Sequence, residues 1–163
     1  MTQDADDIAG VIAPPPLIAL AAILLGLAAD WLFPVYVLKT LLTFDLRVAV
    51  GIVVFAGGVA LALAAVRKFK QAGTNVKPWK PSLALATAGV YAKLRNPMYV
   101  GLAMLVGGIA IALASDWMLV LVVPMFAVLH YGVVKREERY LERKFGDDYR
   151  RYKGSVLRYG WPP

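Results

Sequence analysis

No cysteine occurs in the sequence, which removes disulfide frameworks, thiolate metal sites and cysteine nucleophiles together. The single histidine, His130, cannot form a histidine cluster, so no metal site is expected. Acidic residues are few, 11 against 18 lysines and arginines. What fills the chain instead is apolar: 60% of its 163 residues are hydrophobic, and they lie in long charge-free runs separated by short basic segments. A water-soluble core of this length cannot absorb that much apolar surface, whereas spanning helices and their loops require this segregation. The formal charge of +7 raises the question of nucleic acid. Basic residues beside spanning helices set orientation and attract anionic headgroups, so the expected partner is the lipid bilayer and not nucleic acid.

Four apolar runs are long enough to cross, or nearly so. They cover about 17–33, 48–66, 98–114 and 117–134. Pro14, Pro15 and Pro16 precede the first, and Pro34 and Lys39 close it. Arg47 opens the second, and Arg67, Lys68 and Lys70 end it. Only Ser115 and Asp116 separate the last two, which implies an antiparallel helical hairpin. Gly51, Gly57 and Gly58 on the second run and Gly101, Gly107 and Gly108 on the third would let neighbouring backbones approach closely in lipid. The amino terminus carries Asp4, Asp6 and Asp7 and no basic residue before the first run, unlike a cleaved signal peptide, so the first helix is expected to be retained. The expected fold is an all-α, single-domain, multi-pass membrane protein.

Charge gives the orientation. The segment from Arg67 to Arg95 holds seven basic residues and no acid, and nine more follow Val134, while only Lys39 and Arg47 lie in the opposite loop. Four crossings put the long loop, the tail and both termini on one side, which the positive-inside rule assigns to the cytoplasm. The tail from Lys135 to about Tyr152 lacks proline and is expected to continue helically from the fourth span until Gly154. Leu141, Phe145, Tyr149 and Tyr152 make an apolar stripe that lies on the interface or packs under the cytoplasmic loop. No internal repeat or low-complexity tract is present.

Two segments expected to be cytoplasmic, 67–101 and 135–163, hold more specific residues than an anchor requires. Asn96-Pro97 makes a good helix start, with Asn96 as cap and Pro97 at the first helical position, so amide groups at the start of the third span face the loop side. That end suits an anion. Arg95 adds a fixed charge for a carboxylate or phosphate, and Tyr91 and Tyr99 offer aromatic faces with polar tips. The same residues also serve a capped helix with an interfacial aromatic belt and a snorkelling arginine. Glu137 and Glu138 end the fourth span, where adjacent carboxylates need partners. Lys135, Arg136 and Arg139 can supply ordinary helix pairs. If a ligand instead lies between this helix end and the third helix start, acid on one wall and Arg95 on the other would suit a zwitterion such as an amino acid group.

Over roughly its last 90 residues the chain resembles the isoprenylcysteine carboxyl methyltransferase family, which takes in phospholipid methyltransferase-like membrane enzymes. The resemblance rests on Gly73-Thr74, Gly89-x-Tyr91, Arg95-Asn96-Pro97-x-Tyr99-x-Gly101, Glu137-Glu138, Phe145-Gly146 with Tyr149 and Tyr152, and the closing Val156 to Pro162. It implies S-adenosylmethionine as methyl donor, held on the cytoplasmic side by Tyr91, Arg95, Asn96, Tyr99, Gly101, Glu137 and Glu138. Many eukaryotic members have histidine where this chain has Asn96, so a titrating imidazole is not available there. His130, within the fourth span, is read as a packed or interhelical hydrogen-bonding residue. No catalytic residue is singled out.

Methyl transfer from a sulfonium is an in-line displacement that needs positioning and exclusion of water, not a covalent residue. The expected acceptor is an amphiphile whose tail enters from the bilayer: an isoprenylcysteine-like carboxylate or thiol, or a lipid headgroup. Two other readings of the same pattern are a nicotinamide-dependent membrane reductase of related architecture and a non-enzymatic scaffold whose basic face binds anionic lipid. Oligomeric state is not legible in the sequence.

Overall fold

A computed structural model describes residues 7–160; Asp4 and Asp6 at one end and Trp161 and Pro162 at the other lie outside the described residues. The described residues form six α-helices: α1 Pro15–Leu32, α2 Val37–Leu41, α3 Phe44–Gln71, α4 Pro97–Leu113, α5 Asp116–Leu129 and α6 Lys135–Ser155. A 3₁₀ turn at Gly89–Ala92 precedes α4, and a π-helical turn at His130–Val134 joins α5 to α6. Helices α1 and α3 and the continuous run Asp116–Ser155 are long and apolar enough to cross a bilayer. The apolar α4 is shorter, 17 residues or about 26 Å. The protein is thus an all-helical, multi-pass membrane protein.

Two compact units make up the chain. One comprises Pro15–Ala60 and Tyr99–Leu129. On α1 the small residues Ala19, Ala22 and Gly26 are buried while Leu17 and Leu24 point outward, and Ile52, Val53 and Val123 are likewise exposed, whereas Val106, Met118 and Leu129 fill the interior. In lipid, apolar side chains gain nothing from turning inward, and helices associate through close backbone approach. Gly26 shows this against α5, where an added Cβ would lie 2.6 Å from the Met118 Cα. The α3–α4 crossing is equally tight, since a Cβ on Gly108 would lie 2.6 Å from the Phe55 nitrogen and one on Gly51 2.7 Å from the Gly108 oxygen.

The loop end of this unit is closed by polar caps. Asp116 accepts from the Val37 and Leu38 amides at 3.1 and 3.0 Å, so it caps α2, a short helix the sequence did not reveal. Asp30 accepts from the Ser115 hydroxyl and from the Trp117 amide, and the Trp117 indole donates to the Phe33 carbonyl at 2.7 Å. The Arg47 guanidinium donates to the Ala112 carbonyl at 3.2 Å near the end of α4. Polar groups at the helix ends are thereby paired.

The other unit holds residues 7–14, Leu61–Met98 and the described chain from His130 onward. Here α6 is amphipathic and charged, and it is not one straight rod: Gly146 sits at φ 54° and ψ −125°, outside the helical region, so the helix bends there. It runs through Gly154 to Ser155, and Val156 then turns extended. The extended residues return to pair with the segment before α4. Leu94 and Leu157 form a parallel bridge, the Arg95 amide donates to the Leu157 carbonyl at 2.9 Å, and the Asn96 amide donates to the Arg158 carbonyl at 3.2 Å. The tail also meets the loop directly, because the Ser82 amide donates to the Tyr140 hydroxyl at 2.9 Å and the Tyr152 hydroxyl to the Tyr91 carbonyl at 2.7 Å. Residues 7–12 lie along α6: Lys144 binds the Asp7 carboxylate at 2.6 Å, Arg136 donates to the Gly10 carbonyl at 2.8 Å, and Ile12 fills the notch at Gly132.

Candidate active site

The bridge at Leu94 and Leu157 sets the position of the site, because it places Arg95 and Asn96 beside Arg158 with all three backbones fixed. Glu138, in the first turn of α6 and 6% exposed, lies under two guanidinium groups. Arg158 grips it with both arms of the fork, Nε to Oε1 at 2.9 Å and Nη2 to Oε2 at 2.8 Å. Arg95 approaches from the loop side, its Nη1 at 3.1 Å from Oε1. One buried carboxylate thus lies between two guanidiniums, with the Glu137 carboxylate adjacent, and its partners do not come from its own helix. Arg136 and Arg139 donate instead to the backbone carbonyls of Gly10 and Lys135.

Arg95 and Asn96 are incompletely satisfied within the protein. The Arg95 side chain is only 9% exposed, and its Nη1 faces Glu138 as an ion pair without hydrogen-bond geometry, while its Nε and the Asn96 Nδ2 have no acceptor. Buried donors without acceptors cost about 1–3 kcal/mol each, which is why native proteins seldom retain them without a reason. Two such donors on adjacent residues, beside a guanidinium, make a donor set for a carboxylate. An amino acid carboxylate fits this donor chemistry.

Phenols surround the cluster. Tyr91, Tyr149 and Tyr159 are buried, and Tyr91 stands edge-on to Phe69 at 5.1 Å. Burial pushes all their hydroxyls well above the usual phenol range, helped by the charge of Glu137 at Tyr91 and of Glu138 at Tyr149. These groups therefore stay neutral at physiological pH and act as hydrogen-bonding, apolar walls, not as phenolate bases. The Arg158 guanidinium is pushed up by its hydrogen bond to Glu138, against the opposing effect of burial. His130, at the start of the π turn, shares a 2.8 Å hydrogen bond between its Nδ1 and the Tyr159 hydroxyl. Its partner is thus the returning tail. Such π turns interrupt helices most often near functional sites.

Of the residues singled out in the sequence, Arg95, Asn96 and Glu138 converge, with Tyr91 held by the same tail and Glu137 half-buried one residue before Glu138. Tyr99 is buried in the first turn of α4. Gly101, further along α4, packs its carbonyl against Gly58, where an added Cβ would lie 2.7 Å away. This is a helix-crossing contact, and a ligand role for Gly101 rests on the resemblance alone. The sequence reading gave no role to Arg158. No periodicity relates it to Glu138, since Arg158 lies past the end of α6 and reaches the carboxylate only after the chain reverses.

The same chain thus carries spanning helices and a buried polar cluster at Glu138. The model of the phospholipid methyltransferase family matches residues 46–148, more than half of the chain, and the chain belongs to that family. The match takes in Arg95, Asn96, Glu137 and Glu138 and stops short of Arg158. An uncharacterised protein of Haemophilus influenzae is similar, 50% identical over 38 residues, which is 23% of this chain and 60% of that protein. The chain thus spans less than two thirds of that relative's length. No solved structure matches.

Proposed function

We propose that the protein transfers a methyl group from S-adenosylmethionine to an amphiphilic acceptor, and that the donor's amino acid end is held at Arg95, Asn96, Glu137 and Glu138. The observation that carries this reading is the pair of buried donors without acceptors, Arg95 Nε and Asn96 Nδ2, next to a carboxylate that is itself neutralised. S-adenosylmethionine supplies a sulfonium-activated methyl; the chain's part is to bind, orient and exclude water. Arg95 and Asn96 offer donors to a carboxylate, Glu137 offers negative charge to an ammonium, and the neutral phenols of Tyr91 and Tyr149 limit water. Glu138, fixed by Arg158, positions Arg95. The acceptor is an isoprenylcysteine-like carboxylate or thiol, or a lipid headgroup, because its tail can reach the site from the bilayer. With 16 of 18 basic residues in the loop and tail segments, the positive-inside rule places this face in the cytoplasm.

Titration calorimetry of the detergent-purified chain with S-adenosylhomocysteine tests the reading. Wild type should bind saturably, and Asn96→Ala should bind about tenfold or more weakly while losing no thermal stability, because a donor without an internal partner contributes nothing to the fold. Glu137→Ala should also weaken binding. A wild-type protein that stays folded and binds nothing, or an Asn96→Ala variant that binds normally but unfolds earlier, would refute the assignment.

A further inference from the structure

Away from the Glu138 cluster, the end of α3 and the 3₁₀ turn at Gly89–Ala92 enclose a hollow of about 530 Å³. Arg67, Lys68 and Lys93 line it, over a floor that includes Ala64 and Val90, and no acid contributes. Three cations in one hollow repel one another unless an anion joins them. Among the described residues no ion pair or side-chain hydrogen bond engages Arg67 or Lys93. Lys68 is held in place: its ammonium donates to the Gln71 side chain at 2.8 Å, and its stem presses on Gly89, where an added Cβ would lie 2.4 Å from the Lys68 Cε. Gly89 has φ +66°, so a side chain there would be strained as well as crowded.

The location indicates the kind of anion. Helix α3 has 28 residues, about 42 Å, against a hydrocarbon thickness of about 30 Å, so its last turns stand beyond the acyl region. Arg67 is the first charge after the apolar run that begins at Val48, and this is the depth at which phosphate groups of lipids lie. A guanidinium fork with two ammonium groups matches a phosphate better than a carboxylate, since it offers several donors to a tetrahedral oxyanion. The apolar floor suits the glycerol and first methylenes of a lipid.

We propose that this hollow binds a phosphate-bearing anion at the membrane surface, either the headgroup of an acidic phospholipid or a soluble phosphate. The test of this site reads no activity. The full chain in neutral detergent is titrated with dihexanoyl phosphatidylglycerol, dihexanoyl phosphatidylcholine and inorganic phosphate. The variant Arg67→Gln/Lys93→Gln is compared with Lys77→Gln/Lys80→Gln, which removes equal charge from the same loop outside the hollow.

Wild type should prefer phosphatidylglycerol or inorganic phosphate to phosphatidylcholine. The hollow variant should bind about thirtyfold more weakly, and the control variant within about threefold of wild type. Phosphatidylglycerol binding that inorganic phosphate competes with only weakly assigns the headgroup, and equal competition assigns the soluble anion. Both residues are exposed, so folding should persist. If the double variant does not fold, Lys93→Gln alone should weaken binding about fivefold. Equal loss in both double variants, binding of phosphatidylcholine as tight as of phosphatidylglycerol, or no binding of either anion to folded protein would overturn the proposal.

Discussion

Replacing Glu138 by glutamine tests the account of the charge cluster most directly. The substitution keeps the shape of the side chain and removes the charge shared by Arg95 and Arg158. Arg95 is the partner that suffers, since its side chain is 9% exposed and Glu138 is its only ion-pair partner among the described residues. Breaking a buried pair from one side typically costs about 3–5 kcal/mol, because the remaining charge stays desolvated. Arg158→Ala is milder: the Arg158 side chain is 22% exposed, and its removal leaves Glu138 still paired with Arg95. A cost of about 1–2 kcal/mol is expected after discounting for solvent. Reversible unfolding in mixed micelles, followed by circular dichroism, measures both. The double variant should cost less than the sum, since Arg158→Ala relieves the repulsion between guanidiniums that Glu138→Gln creates. A Glu138→Gln loss under about 0.5 kcal/mol, or one smaller than that of Arg158→Ala, would refute the placement of Arg95 as a buried, singly compensated charge.

At the α3–α4 crossing, Gly108→Leu should reduce thermal stability by at least about 2 kcal/mol, whereas Gly107→Leu should be far milder, because a Cβ at Gly107 meets nothing within 4 Å. Tyr152→Phe removes the bond to the Tyr91 carbonyl and should cost about 1 kcal/mol by the same unfolding measurement. The Asp7 carboxyl is held below the usual range by its hydrogen bond with Lys144. A depressed carboxylate contributes above its unfolded value of 3.8 and ceases to do so as pH falls through the folded value. Amide protection at Ile12 should therefore drop in Asp7→Asn at neutral pH, and in wild type only below about pH 4.

Much of the fold was legible because lipid imposes a simple rule: apolar runs between basic segments mark helices, and the runs ending at Val66 and beginning at Met98 and Trp117 correspond to α3, α4 and α5. The short α2 escaped because Val37–Leu41 is shaped by a carboxylate 79 residues away in sequence, Asp116, and not by its own pattern. In the site, Arg95 and Asn96 could be noticed because they adjoin Pro97, a recognisable helix start. The true partners of Glu138 could not, since three-residue spacing points to Lys135 and the extended return of the tail leaves no periodic trace. The bend at Gly146 was hidden for a related reason: glycine within a charged helix reads as a weak helix former, and only its positive φ reveals the break.

The pairing of Leu94 with Leu157 also sets an order of assembly. The loop strand with Arg95 is made more than 60 residues before its partner. Until residues 156–158 emerge from the ribosome, the Arg95 and Asn96 amides lack their acceptors and Glu138 has only one of its two cations. The spanning helices, complete by Val134, can enter the bilayer earlier. Closure of the cluster is then a late event in biogenesis, so the charged pocket matures only after its anchor is in place. Proteolysis after Ser155 would reverse that last step and leave an inserted but open protein.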